Sequence, residues 1–260
     1  MSEKSSIEWT DATWNPTTGC SKVSPGCANC YAETLSLRFG HSTKPWTPAN
    51  APENVTLHPA RFDLPLRWRE PKRIFVNSMS DLFHELVPDD VVAKVWETMS
   101  LAPRHQFQIL TKRPERMPTI VGRRVAEFGV LPNVWLGTSI ENDRWVGRAD
   151  DLRATPAVVR FISAEPLLGP LPSLDLRDID WLIVGGESGS THRRMDLQWA
   201  RDIRDQCQSV GTSFFFKQLG SGLARSTQSR DRKGVHPEDW PEDLRVREMP
   251  DIPVSVESAG

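Results

Sequence analysis

The amino-acid sequence predicts an α/β fold, in the form of a partial (β/α)6 barrel of the TIM type made by a single domain. Short apolar runs recur between residues 73 and 216, and amphipathic segments with helical periodicity lie between them. This alternation is typical of right-handed β-α-β units, in which the buried strands of a parallel sheet read as continuous apolar runs. An open, doubly wound sheet is the alternative arrangement of the same units.

Six apolar runs are predicted strands, and an extended segment at residues 7–16 precedes them. The strands are predicted at residues 73–77, 107–110, 134–137, 158–162, 181–184 and 213–216. The clearest helical segments are residues 32–39, 89–99 and 195–205. We therefore expect the barrel at residues 1–220, with a proline-rich insertion at 41–71, and an irregular C-terminal extension at 221–260.

Composition limits the possible partners of the chain. A length of 260 residues with 38% apolar residues is enough to fill the core of one such domain. The net charge of -2, from 34 acidic and 32 basic residues, excludes a global basic field for nucleic-acid binding but leaves room for a local patch. No run approaches the ~20 apolar residues of a membrane span, and the N-terminus lacks the apolar region of a signal peptide. These features predict a cytoplasmic protein with no membrane partner.

Three of the four cysteines are crowded near the start of the chain with the spacing C-x6-C-x2-C, namely Cys20, Cys27 and Cys30. The two-residue gap lets the second and third sulfurs point at one centre. In a reducing compartment, clustered cysteines are more often ligands or catalysts than disulfides. The loop therefore predicts a metal site. Cys207 stands alone in a predicted helix, where we expect it to pack in the core.

The number of thiols bears on which metal centre the loop holds. Three thiolates without a fourth ligand are the arrangement expected of a [4Fe-4S] cluster with one iron open to a small molecule. A structural zinc normally has four protein ligands, and the nearest candidate is His41. Buried or disulfide-paired cysteines are the third interpretation.

Polar residues follow the end of each predicted strand. The carboxyl ends of the strands in a parallel barrel share one face, and that face carries the active site. We therefore expect one pocket that joins the cysteine loop to carboxylates, cations, hydroxyls and close-approaching glycine backbone. For any single strand, the ordinary change to polar residues at a turn is an equally good explanation. The residues concerned are Ser78, Asp81, Lys112, Arg113, Ser139, Glu141, Ser163, Glu165, Gly185, Gly186, Glu187 and Lys217.

Seven short motifs give the chain a resemblance to a known family. They are WNPTTGC at 14–20, CANCYA at 27–32, SMSDLF at 78–83, LTKRP at 110–114, GTSIE at 137–141, SAEP at 163–166 and GGESG at 185–189. Together they resemble the phage Gp37/Gp68-type protein family, which looks like a divergent branch of the radical S-adenosylmethionine (SAM) enzymes.

The resemblance implies an enzyme with a radical SAM-like partial barrel. Cys20, Cys27 and Cys30 would hold a [4Fe-4S] cluster whose open iron binds SAM. Electron transfer from a reductant such as flavodoxin or ferredoxin would release a 5'-deoxyadenosyl radical, which abstracts a hydrogen from a nucleic-acid or nucleotide substrate during modification or repair. The residues that would contact SAM are Tyr31, Ser78, Asp81, Ser139, Glu141, Ser163, Glu165, Gly185, Gly186 and Glu187. The catalytic and substrate-contacting residues would be Lys112, Arg113 and Lys217.

The chain departs from the usual radical SAM pattern at two places. The first cysteine gap is six residues rather than three, and the aromatic residue follows the third cysteine, as Tyr31. The usual Gly-Gly-Glu at the second strand is replaced by the segment from Ser78 to Asp81. One alternative function is therefore a non-catalytic zinc- or Fe-S-stabilised barrel that binds nucleic acid or protein. Another is a hydrolase that uses the strand-end glutamates with His84 or His192.

Overall fold

A parallel sheet forms the centre of the molecule, of which the computed structural model describes residues 4–251. The strands in chain order are β1 (Ala12–Trp14), β2 (Thr17–Thr18), β3 (Thr56–Leu57), β4 (Arg73–Val76), β5 (Gln106–Thr111), β6 (Val134–Ser139), β7 (Val159–Ala164), β8 (Trp181–Gly185) and β9 (Ser213–Gln218). Strands β2 and β3 form a separate antiparallel pair, and the other seven form the sheet.

Eight α-helices accompany the strands within the described residues. They are α1 (Tyr31–Arg38), α2 (Ala51–Asn54), α3 (Leu64–Arg67), α4 (Asp89–Ser100), α5 (Met117–Phe128), α6 (Arg148–Arg153), α7 (Leu197–Val210) and α8 (Ser221–Ser226). None of them combines the length and apolar character that a bilayer-crossing helix needs. The longer helices carry an apolar stripe that packs on the sheet, as the helical periodicity predicted.

The order of the strands confirms the partial barrel and excludes the doubly wound sheet. The sheet runs β1-β4-β5-β6-β7-β8-β9, so each strand of this sheet neighbours the sheet strand that follows it in the chain. A doubly wound sheet reverses its order at a switch point, whereas right-handed crossovers in one continuous order place the helices on one face. Strands β1 and β9 do not pair with each other in this order, so the barrel is open. The extended segment predicted at residues 7–16 contains β1, which joins the six predicted strands and brings the sheet to seven.

The inner face of the sheet is filled with aromatic rings near the strand starts. The ring of Trp181 lies 6.0 Å from Trp135, 5.7 Å from Phe161 and 5.7 Å from Phe215, measured between centroids. Trp9, which precedes β1, adds its ring to this cluster. Because side chains alternate between faces along a strand, the later inward positions lie above these rings. Space for a ligand inside the barrel therefore lies toward the strand ends.

The connection from β7 to β8 departs from the predicted alternation of strand and helix. The described residues between Ala164 and Trp181 form no helix. Prolines at 166, 170 and 172 interrupt this connection, and proline removes a backbone donor and clashes with the preceding helical turn. The crossover from β7 to β8 therefore lacks a helix in the described residues.

The chain after β9 packs back on the outer face of the barrel. Trp240 and Leu244 are buried, and the ring of Trp240 lies 4.9 Å from that of Phe216. Residues 252–260 of the predicted C-terminal extension lie outside the described residues. The proline-rich stretch at 41–71 holds α2, α3 and β3, and its Trp46 and Trp68 are buried.

Candidate functional site

The cysteine loop lies at the carboxyl ends of the strands. Gly19 donates its N–H to the carbonyl of Met79, just past β4, over 2.9 Å, and it has the positive φ of +83° that favours glycine. The loop then makes a 3-10 turn at Pro25–Cys27 and ends with Cys30 as the N-cap of α1. Cys20, Cys27 and Cys30 are free thiols and partly exposed. Cys207 is buried in the outer core, as predicted.

The three thiols lie close enough to influence one another electrostatically. The pKa of Cys20 is raised to about 12, mainly by burial and also by Asp81 and Cys27, while Arg113 opposes the shift. Burial also raises the pKa of Cys30, with a further contribution from Cys27. Without a metal these two thiols are protonated near neutral pH, so a metal must displace their protons when it binds.

The geometry of the thiols bears on the kind of metal centre. Within residues 4–251, no three His, Cys, Asp or Glu side chains are arranged around a point that could hold one metal ion. A structural zinc needs such a point, with sulfurs about 2.3 Å from it. A [4Fe-4S] cluster takes one thiolate per iron, so its cysteines need not meet at one atom. The donor set of three free thiols fits that cluster, and His41 is exposed beyond the end of α1.

Arg113 anchors the first part of the loop from beneath. This buried guanidinium donates to the carbonyl and hydroxyl of Ser21 over 2.9 and 2.8 Å, and it lies 3.4 Å from the Cys20 sulfur. Its other partners are carboxylates, Asp81 at 3.4 Å and Glu85 at 3.2 Å. Asp81 in turn accepts hydrogen bonds from the hydroxyl of Thr111 and two backbone amides. The Asp81–Arg113 pair therefore ties the cysteine loop to the ends of β4 and β5.

Glu141 anchors the middle of the loop. Its side chain is fully buried beyond the end of β6, where it accepts from the Ser24 hydroxyl over 2.5 Å and pairs with Arg148 at 3.2 Å. Arg148 also lies 4.2 Å from the ring centre of Trp145. Gly26 passes directly over this carboxylate, because a Cβ built on Gly26 would be only 2.3 Å from Oε1 of Glu141. A glycine is required for that close approach.

Replacing Gly26 with alanine is expected to destabilise the chain by about 1–3 kcal/mol, because the new methyl group overlaps a buried and paired carboxylate. The shift of the denaturation midpoint in urea measures this cost. Gly122→Ala is the matched control: no atom lies within 4 Å of its added methyl group in α5, so it should stabilise the chain by up to about 1 kcal/mol. Equal midpoints for the two variants would contradict the packing of the loop on Glu141.

Glu187 anchors the end of the loop. Its carboxylate accepts from the amide of Asn29 over 3.0 Å and from the backbone and guanidinium of Arg193. Arg193 also donates to the carbonyl of Pro25 over 2.9 Å. Burial would raise the pKa of Glu187, but the hydrogen bonds from Arg193 and Asn29 hold it below its usual value. The loop after β8 thus hydrogen-bonds to the cysteine loop at two residues, Asn29 and Pro25.

Tyr31 and Ser78 add a fourth contact. The Tyr31 hydroxyl donates to the Ser78 carbonyl over 2.5 Å, and the Ser78 side chain hydrogen-bonds with Asn15. The start of α1 is thereby joined to the segment after β4.

A second group of polar residues lines the inner face at the strand ends. Lys217 pairs with Glu165 at 2.7 Å, and Lys112 donates to the Ser139 hydroxyl over 3.0 Å. Ser163 donates weakly to Glu165 over 3.4 Å. Gly185 leaves room for this carboxylate, since a Cβ there would lie 2.9 Å from Oε2 of Glu165. The Glu165 and Lys217 side chains keep 14% and 17% of their exposure, so this pair can reach a ligand.

Comparison with family models identifies the chain. The model described as "Protein of unknown function (DUF5131)" matches residues 4–242. The chain belongs to the DUF5131 family. No curated protein matches this DUF5131 chain significantly.

Solved structures of spore photoproduct lyase are similar to this DUF5131 chain. A cysteine-to-serine variant of that lyase aligns with a TM-score of 0.46 and 14% identity over 85% of this chain and 59% of its own. A double variant with bound AdoMet and dinucleoside spore photoproduct aligns with a TM-score of 0.40 and 15% identity over 75% and 60%. The DUF5131 chain therefore spans less than two thirds of the length of these proteins.

The structure divides the predicted site residues of the DUF5131 chain into two groups. One group contacts the cysteine loop or its supports: Tyr31, Ser78, Asp81, Arg113, Glu141 and Glu187. The other lies on the inner face at the strand ends: Lys112, Ser139, Ser163, Glu165, Gly185 and Lys217. Gly186 belongs to neither, because it lies in backbone contact with Leu219 and Gly220. Sequence reasoning missed the anchoring roles of Ser24, Asn29, Arg148 and Arg193, although Asn29 lies inside the CANCYA motif.

The position of His84 argues against a hydrolase that uses this histidine as its base. Its Nδ1 accepts the backbone N–H of Leu86 over 3.1 Å, so the proton of the neutral ring is on Nε2, 2.9 Å from the Ser21 hydroxyl. The ring therefore donates to Ser21 and cannot take its proton. Burial lowers the pKa of His84, which keeps the ring in this neutral form.

Proposed function

We propose that this DUF5131 chain is a radical SAM-type enzyme that acts on a nucleic-acid or nucleotide substrate. The observation that carries the proposal is the placement of three free thiols, on a loop anchored at four places, above a partly exposed group of charges inside the barrel. If the loop only stabilised the fold, the partly exposed charges on the inner face would have no ligand to bind. The resemblance to the phage Gp37/Gp68-type family remains a prediction from the motifs.

Cys20, Cys27 and Cys30 would hold the [4Fe-4S] cluster, and the anchors would keep the loop in place. Given electrons from a reductant such as flavodoxin or ferredoxin, a cluster held there would supply the one-electron reduction of SAM that radical chemistry on a substrate requires. Arg113 places a positive charge 3.4 Å from the Cys20 sulfur, where it favours the thiolate form that ligation needs. Glu141 and Glu187, which already accept hydrogen bonds from other residues of the chain, act here as supports of the loop.

The inner group is suited to the charged and hydroxyl groups of SAM. SAM carries an ammonium, a carboxylate and ribose hydroxyls, and Glu165, Lys217 and Lys112 offer charges of both signs on the inner face. Ser139 and Ser163 add hydroxyls beside them. The aromatic cluster beneath excludes water from the lower barrel, which strengthens electrostatic contacts at this level.

Anaerobic reconstitution with iron and sulfide tests the proposal. The iron-loaded chain should be brown. When SAM and a strong chemical reductant are added, the reductant replaces flavodoxin or ferredoxin and 5'-deoxyadenosine should be released. A colourless, zinc-loaded chain would support the non-catalytic barrel instead. Full iron loading without release of 5'-deoxyadenosine would contradict the radical chemistry while leaving the cluster in place.

Glu165→Gln is expected to weaken SAM binding by roughly 10- to 100-fold, because it removes the charge from a hydrogen bond to the ligand. A calorimetric titration of the iron-loaded variant with SAM measures the effect, and its iron content should equal that of wild type. Glu70→Gln, at an exposed position before β4, is the control and should bind as wild type does. Unchanged affinity of the Glu165 variant would remove this residue from the SAM site.

A further inference from the structure

Four cations lie on the segments that follow β8 and β9, next to the residue that anchors the end of the cysteine loop. They are Arg194, Arg225, Arg232 and Lys233, which we call the rim cations, and all four are exposed. The segment at 221–234 that holds three of them has four basic residues against one acidic residue, Asp231. The chain as a whole has a net charge of -2, so this concentration of positive charge is local.

Backbone contacts place the rim cations beside the candidate site. The amide of Ser221 donates to the carbonyl of Glu187 over 2.9 Å, so α8 begins next to the anchor of the cysteine loop. A Cβ on Gly222 would lie 3.5 Å from the Cα of Arg194, which joins α8 to the loop after β8. The carbonyl of Lys233 accepts from Gly220 over 2.9 Å.

The rim cations differ from other basic residues near them because they lack acidic partners. Within residues 4–251, none of the four cationic side chains forms an ion pair or a hydrogen bond, although the backbone amide of Lys233 donates to Asp231 over 2.7 Å. Their neighbours do, since Arg193 pairs with Glu187, and Arg230 pairs with Glu238 and Asp239. At the opposite mouth, Arg73 pairs with Asp11, and Arg104 donates to backbone carbonyls. The rim cations are therefore open to an anionic partner.

We propose that the rim cations bind the phosphate backbone of a nucleic-acid strand and hold it across the mouth of the barrel. This inference rests on the proposed function, and it names a polymer, rather than a free nucleotide, as the substrate. A free nucleotide carries its phosphates at one point, whereas four separate cations match a chain of regularly spaced phosphates. Three of the four are arginines, whose planar guanidinium groups pair with phosphate oxygens through two hydrogen bonds.

Binding of a fluorescein-labelled single-stranded DNA of about 20 nucleotides to the full chain tests the proposal, with anisotropy recorded over a range of salt concentrations. The slope of log K against log salt is negative, and each lost phosphate contact makes it shallower by about 0.7 for single strands. The double variant Arg225→Ala/Arg232→Ala should therefore have a slope shallower by about 1.4, equivalent to roughly 25-fold weaker binding at about 0.1 M salt. The variant should keep the wild-type urea midpoint, because both side chains are exposed.

The control is Arg67→Ala/Arg69→Ala, which removes the same charge from an exposed segment before β4, at the opposite mouth. Its slope should equal that of wild type. Equal slopes for all three proteins, or equal loss in both double variants, would overturn the proposal. So would a poly-glutamate peptide that competes as strongly as DNA, since the surface would then fit an acidic protein.

The binding test is independent of the radical chemistry. It is repeated with Cys27→Ala, which cannot load iron if the ligand assignment is correct. DNA binding that survives in this variant and fails in Arg225→Ala/Arg232→Ala supports the rim cations even where no 5'-deoxyadenosine forms. Release of 5'-deoxyadenosine without DNA binding overturns the polymer substrate and leaves the proposed enzyme intact.

Discussion

Cys27→Ala is expected to abolish the iron that the wild-type chain binds on anaerobic reconstitution, together with the brown colour. The variant removes one of three thiolates, and within the described residues the loop offers no other cysteine to replace it. The fold should tolerate the change, because Cys27 is partly exposed and, among the described residues, the hydrogen-bond contact of its sulfur is a long one of 3.9 Å to the Ser24 hydroxyl. Iron per chain, measured after desalting, reports the loss directly.

Cys207→Ala is the control for this experiment. Its sulfur is buried in the outer core, where burial raises the pKa of the thiol to about 12 and keeps it an uncharged packing group. Iron content should therefore match that of wild type. Full iron content in Cys27→Ala would refute the ligand assignment, and loss of iron in Cys207→Ala would show that the assay reports damage to the fold.

Arg113→Leu is expected to lower the free energy of unfolding by about 3 kcal/mol. The guanidinium is buried beneath the cysteine loop, and its removal leaves the buried Asp81 carboxylate without a cation. Asp81 keeps its hydrogen bonds from Thr111 and two amides, which places the cost at the lower end of the range for breaking a buried pair. The Ser21 carbonyl and hydroxyl each lose one donor at the same time.

Urea denaturation gives the stability, and hydrogen exchange of the amides at residues 20–24 reports the loop itself. Exchange there should accelerate more than in β5, which keeps its ladder with β4 and β6. Arg194→Leu removes the same charge from an exposed arginine and should change stability by no more than about 0.5 kcal/mol. Equal stability of the two variants would refute the role of Arg113 as an anchor.

Much of the fold could be predicted because burial leaves a periodic trace. Strands β4 to β9 read as apolar runs, and each run predicted from the sequence overlaps one of them. The crossover from β7 to β8 could not be predicted as helix-free from the alternation, although its prolines carried the signal. The open barrel, rather than the doubly wound sheet, depends on strand order, which local periodicity does not contain.

Part of the candidate site could also be predicted from local sequence patterns. The polar residues that follow buried strands predicted which residues lie at the strand ends, and the cysteine spacing predicted that the loop at residues 20–30 is a candidate metal site. Glu141 and Glu165 look alike in sequence, since each follows a buried strand. In the structure, Glu141 is fully buried beneath Gly26, whereas Glu165 pairs with Lys217 on the open inner face.

The sequence by itself determined the α/β class, the approximate strands and the residues that gather at one end of the sheet, because hydrophobic periodicity and strand polarity are local properties. Only the tertiary structure decided which of those residues anchor the cysteine loop and which remain open to a ligand. That division depends on partners distant in the chain, as with Ser24 and Glu141, or Asn29 and Glu187. Contacts between distant residues decide whether a charged side chain is buried with a partner or stays accessible to a ligand. No short stretch of sequence specifies such contacts.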